Sequence, residues 1–168
     1  GSILCTDLHE TIGINTRLHL AQAGALLRRR INQAWMEAGV SMVDPDHTYI
    51  EPGVTLGQDT TLWPGTYLHG NTHIGTGCTI GPDTIIRDSQ VGNDCTLLAS
   101  VLEGALLEDR VSMGPYCHLR KGAHLCTGAH MGNFGEIKNS TLGPGAKMGH
   151  FSYLGDTSVG AEVNIGAG

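Results

Sequence analysis

The residues able to do chemistry are concentrated late in this sequence: Arg120 and Lys138, then His150, Tyr153 and Asn164. Arginine presents a bidentate fork and lysine a compact point charge, a pairing suited to phosphate. Histidine titrates near neutral pH, which suits it to general-base work. Nine histidines are present, however, and a histidine is more often a surface residue than a catalyst. His118, His124 and His130 recur at six-residue spacing and raise the separate question of a metal site. Whether any of these groups meet depends on the elements that carry them.

Those elements follow a six-residue beat. Aliphatic or methionine rungs run from Ile50, Leu56 and Leu62 to Leu154, Val159 and Ile165, with a few steps of five. Two places before each rung stands a small residue, from Thr48 to Val163. A fixed short period of this kind is the mark of a solenoid. Residues two apart in a strand face the same way, so rung and small residue both point inward, the small one at a tight corner. Strand and corner in hexads close a triangle every three rungs. The prediction is a mainly β fold, a left-handed parallel β-helix of about seven coils and roughly 33 Å. It departs from the usual right-handed crossover.

Sorting the ladder into three columns shows which corner is functional. The corners after the second and third columns are mostly glycine, whereas the first reads Glu51, His69, Arg87, Glu103, Arg120, Lys138, Gly155. Arg120 and Lys138 are then one coil apart, about 4.8 Å. Two cations so close call for an anion between them; the alternative is a solvated ladder in which Glu103 pairs with Arg120. His150 falls in the turn back to the first face, a coil above Lys138. His118, His124 and His130 fall on three different faces, so one chain cannot converge them on one ion.

Composition bounds the rest. The chain has 168 residues with 5% aromatics and 25 glycines, which suits a narrow aliphatic interior, and a net charge of −6, which argues against nucleic acid. No apolar run is long enough to span a membrane, and the N-terminus lacks the features of a signal peptide. Cys78, Cys95 and Cys117 hold the small interior position, Cys126 should face outward and Cys5 lies in the lead-in. No cysteine spacing indicates disulfides or zinc, so a reducing, cytoplasmic setting is expected. Residues 16–38 have helical spacing, with Leu20, Ala23, Leu27, Ile31, Ala34 and Ala38 forming an apolar face. Asn15 or Thr16 is the expected cap, Gly39 the stop, and Arg28–Arg30 a solvated face. Residues 40–47 make the turn into the prism. The ladder ends at Gly168 without a polar cap, which predicts a truncated end or one covered by something else.

The stretches Leu119-Arg120-Lys121-Gly122, Gly132-Asn133-Phe134-Gly135-Glu136-Ile137-Lys138-Asn139-Ser140, Gly149-His150-Phe151-Ser152-Tyr153-Leu154-Gly155-Asp156 and Asn164-Ile165-Gly166-Ala167-Gly168 resemble one family. It is the bifunctional N-acetylglucosamine-1-phosphate uridyltransferase/glucosamine-1-phosphate acetyltransferase family. The resemblance covers nearly the whole chain. It implies that residues 1–15 are a Gly-Ser tag remnant and the end of a nucleotidyltransferase domain, that 16–47 are a linker, and that 48–168 are a C-terminally truncated acetyltransferase domain. It implies that His150 takes a proton from the amine of glucosamine 1-phosphate, which attacks acetyl-CoA directly. Arg120 and Lys138 would hold the phosphate, Tyr153 and Asn164 would place the sugar, and Glu136 would orient His150. Ala167 would lie at the acetyl-CoA end. Asn15 is similar to a magnesium ligand of the nucleotidyltransferase domain, the one part expected to need that metal. The family is a homotrimer with sites between prisms. Lys121 stands where the family usually has proline. Two other readings stay open: a zinc-dependent hydratase like the γ-class carbonic anhydrases, and a non-catalytic trimeric scaffold.

Overall fold

A computed structural model describes residues 13–166. The chain forms one helix, α1 (Arg17–Glu37), followed by short strands in three parallel sheets of eight, seven and seven strands. Every neighbour within a sheet comes from the next coil along the chain, so the three sheets are the faces of the expected prism. The first face carries Thr48–Ile50 at its start and Tyr153–Gly155 at its end, and the third carries His130–Asn133 and Lys147–His150.

The beat works as read. Every rung from Leu62 to Met148 is buried, and so are the small partners from Thr48 to Ala146. At Gly135 an added Cβ would lie 2.6 Å from the Met131 Cε, so the interior there has room only for hydrogen. Buried hydroxyls are satisfied by the local backbone: Ser89 donates to the Arg87 carbonyl at 2.8 Å and Ser100 to that of Leu98 at 2.7 Å. That removes the penalty for placing a polar group in the core. Each buried Leu or Ile contributes about 1.5–3 kcal/mol, and the stacked rungs make the core one continuous column.

Several expectations change. The prism begins a rung earlier than the ladder: Ser41–Met42 pairs with Thr61–Leu62 and opens the third face. A 3-10 turn at Pro45–His47 lengthens the step to Ile50 and breaks the hexad beat. Glycine after a rung mostly serves close approach, since a Cβ at Gly57 would sit 2.5 Å from the Gly75 carbonyl carbon, whereas Gly81 and Gly114 also take a left-handed backbone. Other left-handed conformations fall one residue later, at Asp88, Asn139 and Asp156 among others, where short polar side chains tolerate them. Cys78, Cys95 and Cys117 are buried in the core as expected; Cys126 stands outside that core, covered by its neighbours to 8% exposure. Cys5 lies outside the described residues.

Helix α1 starts at Thr16, whose hydroxyl accepts from the His19 amide at 3.1 Å, and the chain leaves it through Gly39 at φ 98°. Its docking face matches the predicted stripe only at Ile31 among the large side chains. Leu20 and Leu27 are exposed, while Asn32 is 1% exposed and Ile31 and Trp35 pack on the core. The Asn32 amide donates to the carbonyls of Pro45 (2.8 Å) and Thr48 (2.9 Å), so it satisfies backbone at the open end of the prism. Arg28 lies over the Tyr49 ring at 4.9 Å and Arg29 pairs with Asp46 at 3.3 Å, so the basic run helps dock the helix. No described helix is long and apolar enough to cross a membrane.

Candidate functional site

The site residues gather across the outer surface of the first face. His118, Glu136 and Tyr153 are register partners in three successive coils, each just before an inward-facing rung and so pointing outward. Pairing of Leu119 with Ile137 carries Arg120 to the coil below Lys138, and Lys138 pairs in turn with Gly155. The cations therefore stand along one edge of the face. His150 ends the strand Lys147–His150 of the third face, which places it at the opposite edge. Strand Tyr153–Gly155 runs between them and is about 10 Å long.

The partners differ from those read in sequence. The Arg120 Nη1 donates to Glu136 Oε1 at 3.1 Å, so Glu136 holds the arginine rather than His150. Glu103, the alternative partner for Arg120, is taken by Arg87 at 3.3 Å and His118 at 3.2 Å. Lys138 is exposed and has no ion-pair partner among the described residues. The close stack of two cations is thus half neutralised, leaving one free charge and the unused nitrogens of the other.

At the opposite edge, His150 Nδ1 lies 2.6 Å from Asn133 Oδ1. A carbonyl oxygen only accepts, so Nδ1 is the donor in this bond and Nε2 is the ring nitrogen left open to solvent. Sequence reasoning missed Asn133 as a partner, although the signal was present: Asn133 and His150 each stand two places after a third-face rung, Met131 or Met148, and are register partners. Beside them Tyr116, Phe134 and Phe151 form an exposed stack with ring centroids 5.3 and 5.0 Å apart. Tyr153 folds back over its own strand, since a Cβ at Gly155 would meet the Tyr153 Oη at 2.6 Å. Its phenol therefore leans toward the cation edge, over Gly155.

Asn164 does not join this group. It pairs with Lys147 on the third face, three residues before the His150 position. Ala167 lies outside the described residues. His118, His124 and His130 occupy the first, second and third faces, as expected. Asn15 is exposed ahead of α1; the grouping of metal-binding side chains among the described residues lies elsewhere, at Glu108, His124 and Cys126.

Residues 53–88 match the family model "Bacterial transferase hexapeptide (six repeats)", in keeping with the six-residue beat of this triangular parallel β-helix. The fold is shared with a putative acetyltransferase of Bacillus cereus (TM-score 0.54, 18% identity, 76% of this chain and 77% of that one). It is shared too with the acetyltransferase domain of PglB from Neisseria gonorrhoeae, solved with acetyl coenzyme A (TM-score 0.52, 14% identity, 84% and 62%). In sequence the chain groups with the bifunctional GlmU proteins, as the motifs implied. It is 45% identical to that of Halalkalibacterium halodurans over 161 residues, 96% of this chain and 35% of that protein. It is 46% identical to that of Exiguobacterium sibiricum over 163 residues, 97% and 36%. The chain spans about a third of the length of these relatives.

Proposed function

We propose that this chain is the acetyltransferase part of a bifunctional enzyme and transfers acetyl from acetyl-CoA to the amine of glucosamine 1-phosphate. The observation that carries the reading is the division of one face into a proton-accepting edge and an anion-binding edge. His150 Nε2, made the free nitrogen by the Asn133 bond, takes a proton from the substrate amine. The amine attacks the thioester carbonyl and displaces the CoA thiolate, which takes up a proton. The four described cysteines are all buried, in keeping with direct transfer. Lys138 and the unpaired nitrogens of Arg120 hold the phosphate at the other edge, and Tyr153 lies between as a platform for the sugar. Such positioning can supply several kcal/mol of barrier lowering.

Asn164 belongs to the third face, so it serves this reading only where a neighbouring prism presents that face. Its placement supports a homotrimer with sites shared between subunits, and by the family resemblance Ala167 would serve acetyl-CoA. Lone prisms would then hold only part of each site.

The test follows release of CoA thiol with glucosamine 1-phosphate as acceptor, alongside equilibrium binding of that sugar phosphate. His150→Ala is expected to abolish transfer and leave binding within a few-fold, whereas Lys138→Ala weakens binding at least tenfold. A His150→Ala protein that acetylates normally would overturn the base assignment. Binding that Lys138→Ala does not change would overturn the phosphate site.

A further inference from the structure

The corner after the second face is glycine at Gly57, Gly75, Gly92, Gly143 and Gly160, and carries side chains only at Glu108 and Cys126. The glycines have a steric cause. A Cβ at Gly57, Gly75, Gly92 or Gly143 would lie 2.5 to 2.7 Å from backbone of the next coil. Glu108 and Cys126 stand one above the other in successive coils, because Leu107 pairs with Leu125. His124, on the same strand as Leu125, reaches the pair from beside it. Its Nε2 is 2.8 Å from Glu108 Oε1 and 3.8 Å from Cys126 Sγ. The three donor atoms lie within 4.8 Å of one another.

We propose that Glu108, His124 and Cys126 bind one thiophilic divalent cation, zinc by the chemistry of the set, with a fourth position open to water. Carboxylate oxygen, imidazole nitrogen and thiolate sulfur are zinc donors, with bonds of about 2.0–2.3 Å. Tetrahedral zinc would place such donors roughly 3.3–3.6 Å apart, and the two measured separations bracket that range. A carboxylate and a thiolate balance the charge of the ion, and the thiol proton passes to solvent on binding. A second shell is already built. The Thr127 amide and hydroxyl donate to Glu108 Oε2 at 2.9 and 2.8 Å, which leaves Oε1 turned toward His124. By contrast, His118 pairs with Glu103 and His130 with Ser112, neither near a sulfur donor. This corner is neither of the edges carrying His150 and Lys138, so the proposal does not depend on the function proposed above.

The experiment is cobalt(II) titration of the metal-free chain in a Cys5→Ser background, with zinc counted by mass spectrometry. One ion per chain and a near-ultraviolet thiolate-to-cobalt band are expected. Cys126→Ser removes the band, His124→Ala weakens binding more than tenfold, and His130→Ala changes nothing. Thr127→Val, a positioning change, weakens binding about 10- to 100-fold. Should Cys126→Ser fail to fold, Glu108→Gln replaces it and must weaken cobalt binding tenfold. The proposal is overturned by absence of the band in the parent chain, or by equal cobalt affinity in the parent and the His124→Ala protein. Chelation that removes the ion is expected to leave acetyl transfer intact.

Discussion

At the scale of residues, the site depends on which partner holds each functional group. Asn133 fixes the tautomer of His150, and Glu136 holds Arg120 while leaving Lys138 unpaired. Replacing Asn133 by Ala frees the ring to rotate and to protonate at either nitrogen. The expected result is a kcat for acetyl transfer lowered about 10- to 100-fold with KM for the sugar phosphate little changed; a matching rise in KM would mean that Asn133 binds substrate instead. The individual candidates were legible because hexad spacing places Arg120, Lys138, His150 and Tyr153 unambiguously. Their pairing was not. A carboxylate such as Glu136 can lean toward either edge, and side-chain torsions decide which, something periodicity does not encode.

At the scale of elements, α1 shows where patterning misleads. Helical spacing gave its limits to within a residue, Arg17–Glu37 against 16–38, but picked Leu20 and Leu27 for the buried face. The real contact is a polar one. The prism presents unpaired carbonyls at its open end, and Asn32 satisfies two of them. Asn32→Ala should cost about 1–3 kcal/mol in chemical denaturation, the penalty for leaving buried acceptors unpaired. Leu27→Lys should stay within about 0.5 kcal/mol, as exposed changes do. The same limit of periodicity hid the Ser41–Met42 strand, because the Pro45–His47 turn interrupts the beat.

Across the whole molecule, stability is distributed coil by coil, so an end can loosen before the middle. The first coil holds a titratable clamp to the second. The Gly70 amide donates to Glu51 Oε2 at 2.7 Å and His69 Nδ1 lies 2.9 Å from Oε1, and these bonds hold the carboxyl below its ordinary range. A depressed folded-state value means that the contribution is complete above the ordinary carboxylate pKa and fades as pH falls through the folded one. Protection of the Gly70 amide, relative to its intrinsic exchange rate at each pH, should therefore fall on acidification below about pH 4.5, ahead of protection in the central coils. Glu51→Gln should remove that dependence; an unchanged profile would assign the clamp no role.

The alternation of five- and six-residue steps has one more result. Thr79 pairs with Thr96, Thr96 with Ser112, and Ser112 with His130, although the intervals are seventeen, sixteen and eighteen residues. Corners absorb the missing residues and the strands never learn of them. The prism thus behaves as a self-correcting ruler. A residue gained or lost at a corner leaves every later rung inside and every later functional group at its coil height. The same change inside Tyr153–Gly155 would turn Tyr153 inward and Leu154 out. Lengthening can therefore be written into this fold almost anywhere around its edges, while the spacing between base and cation stays protected by the coil pitch.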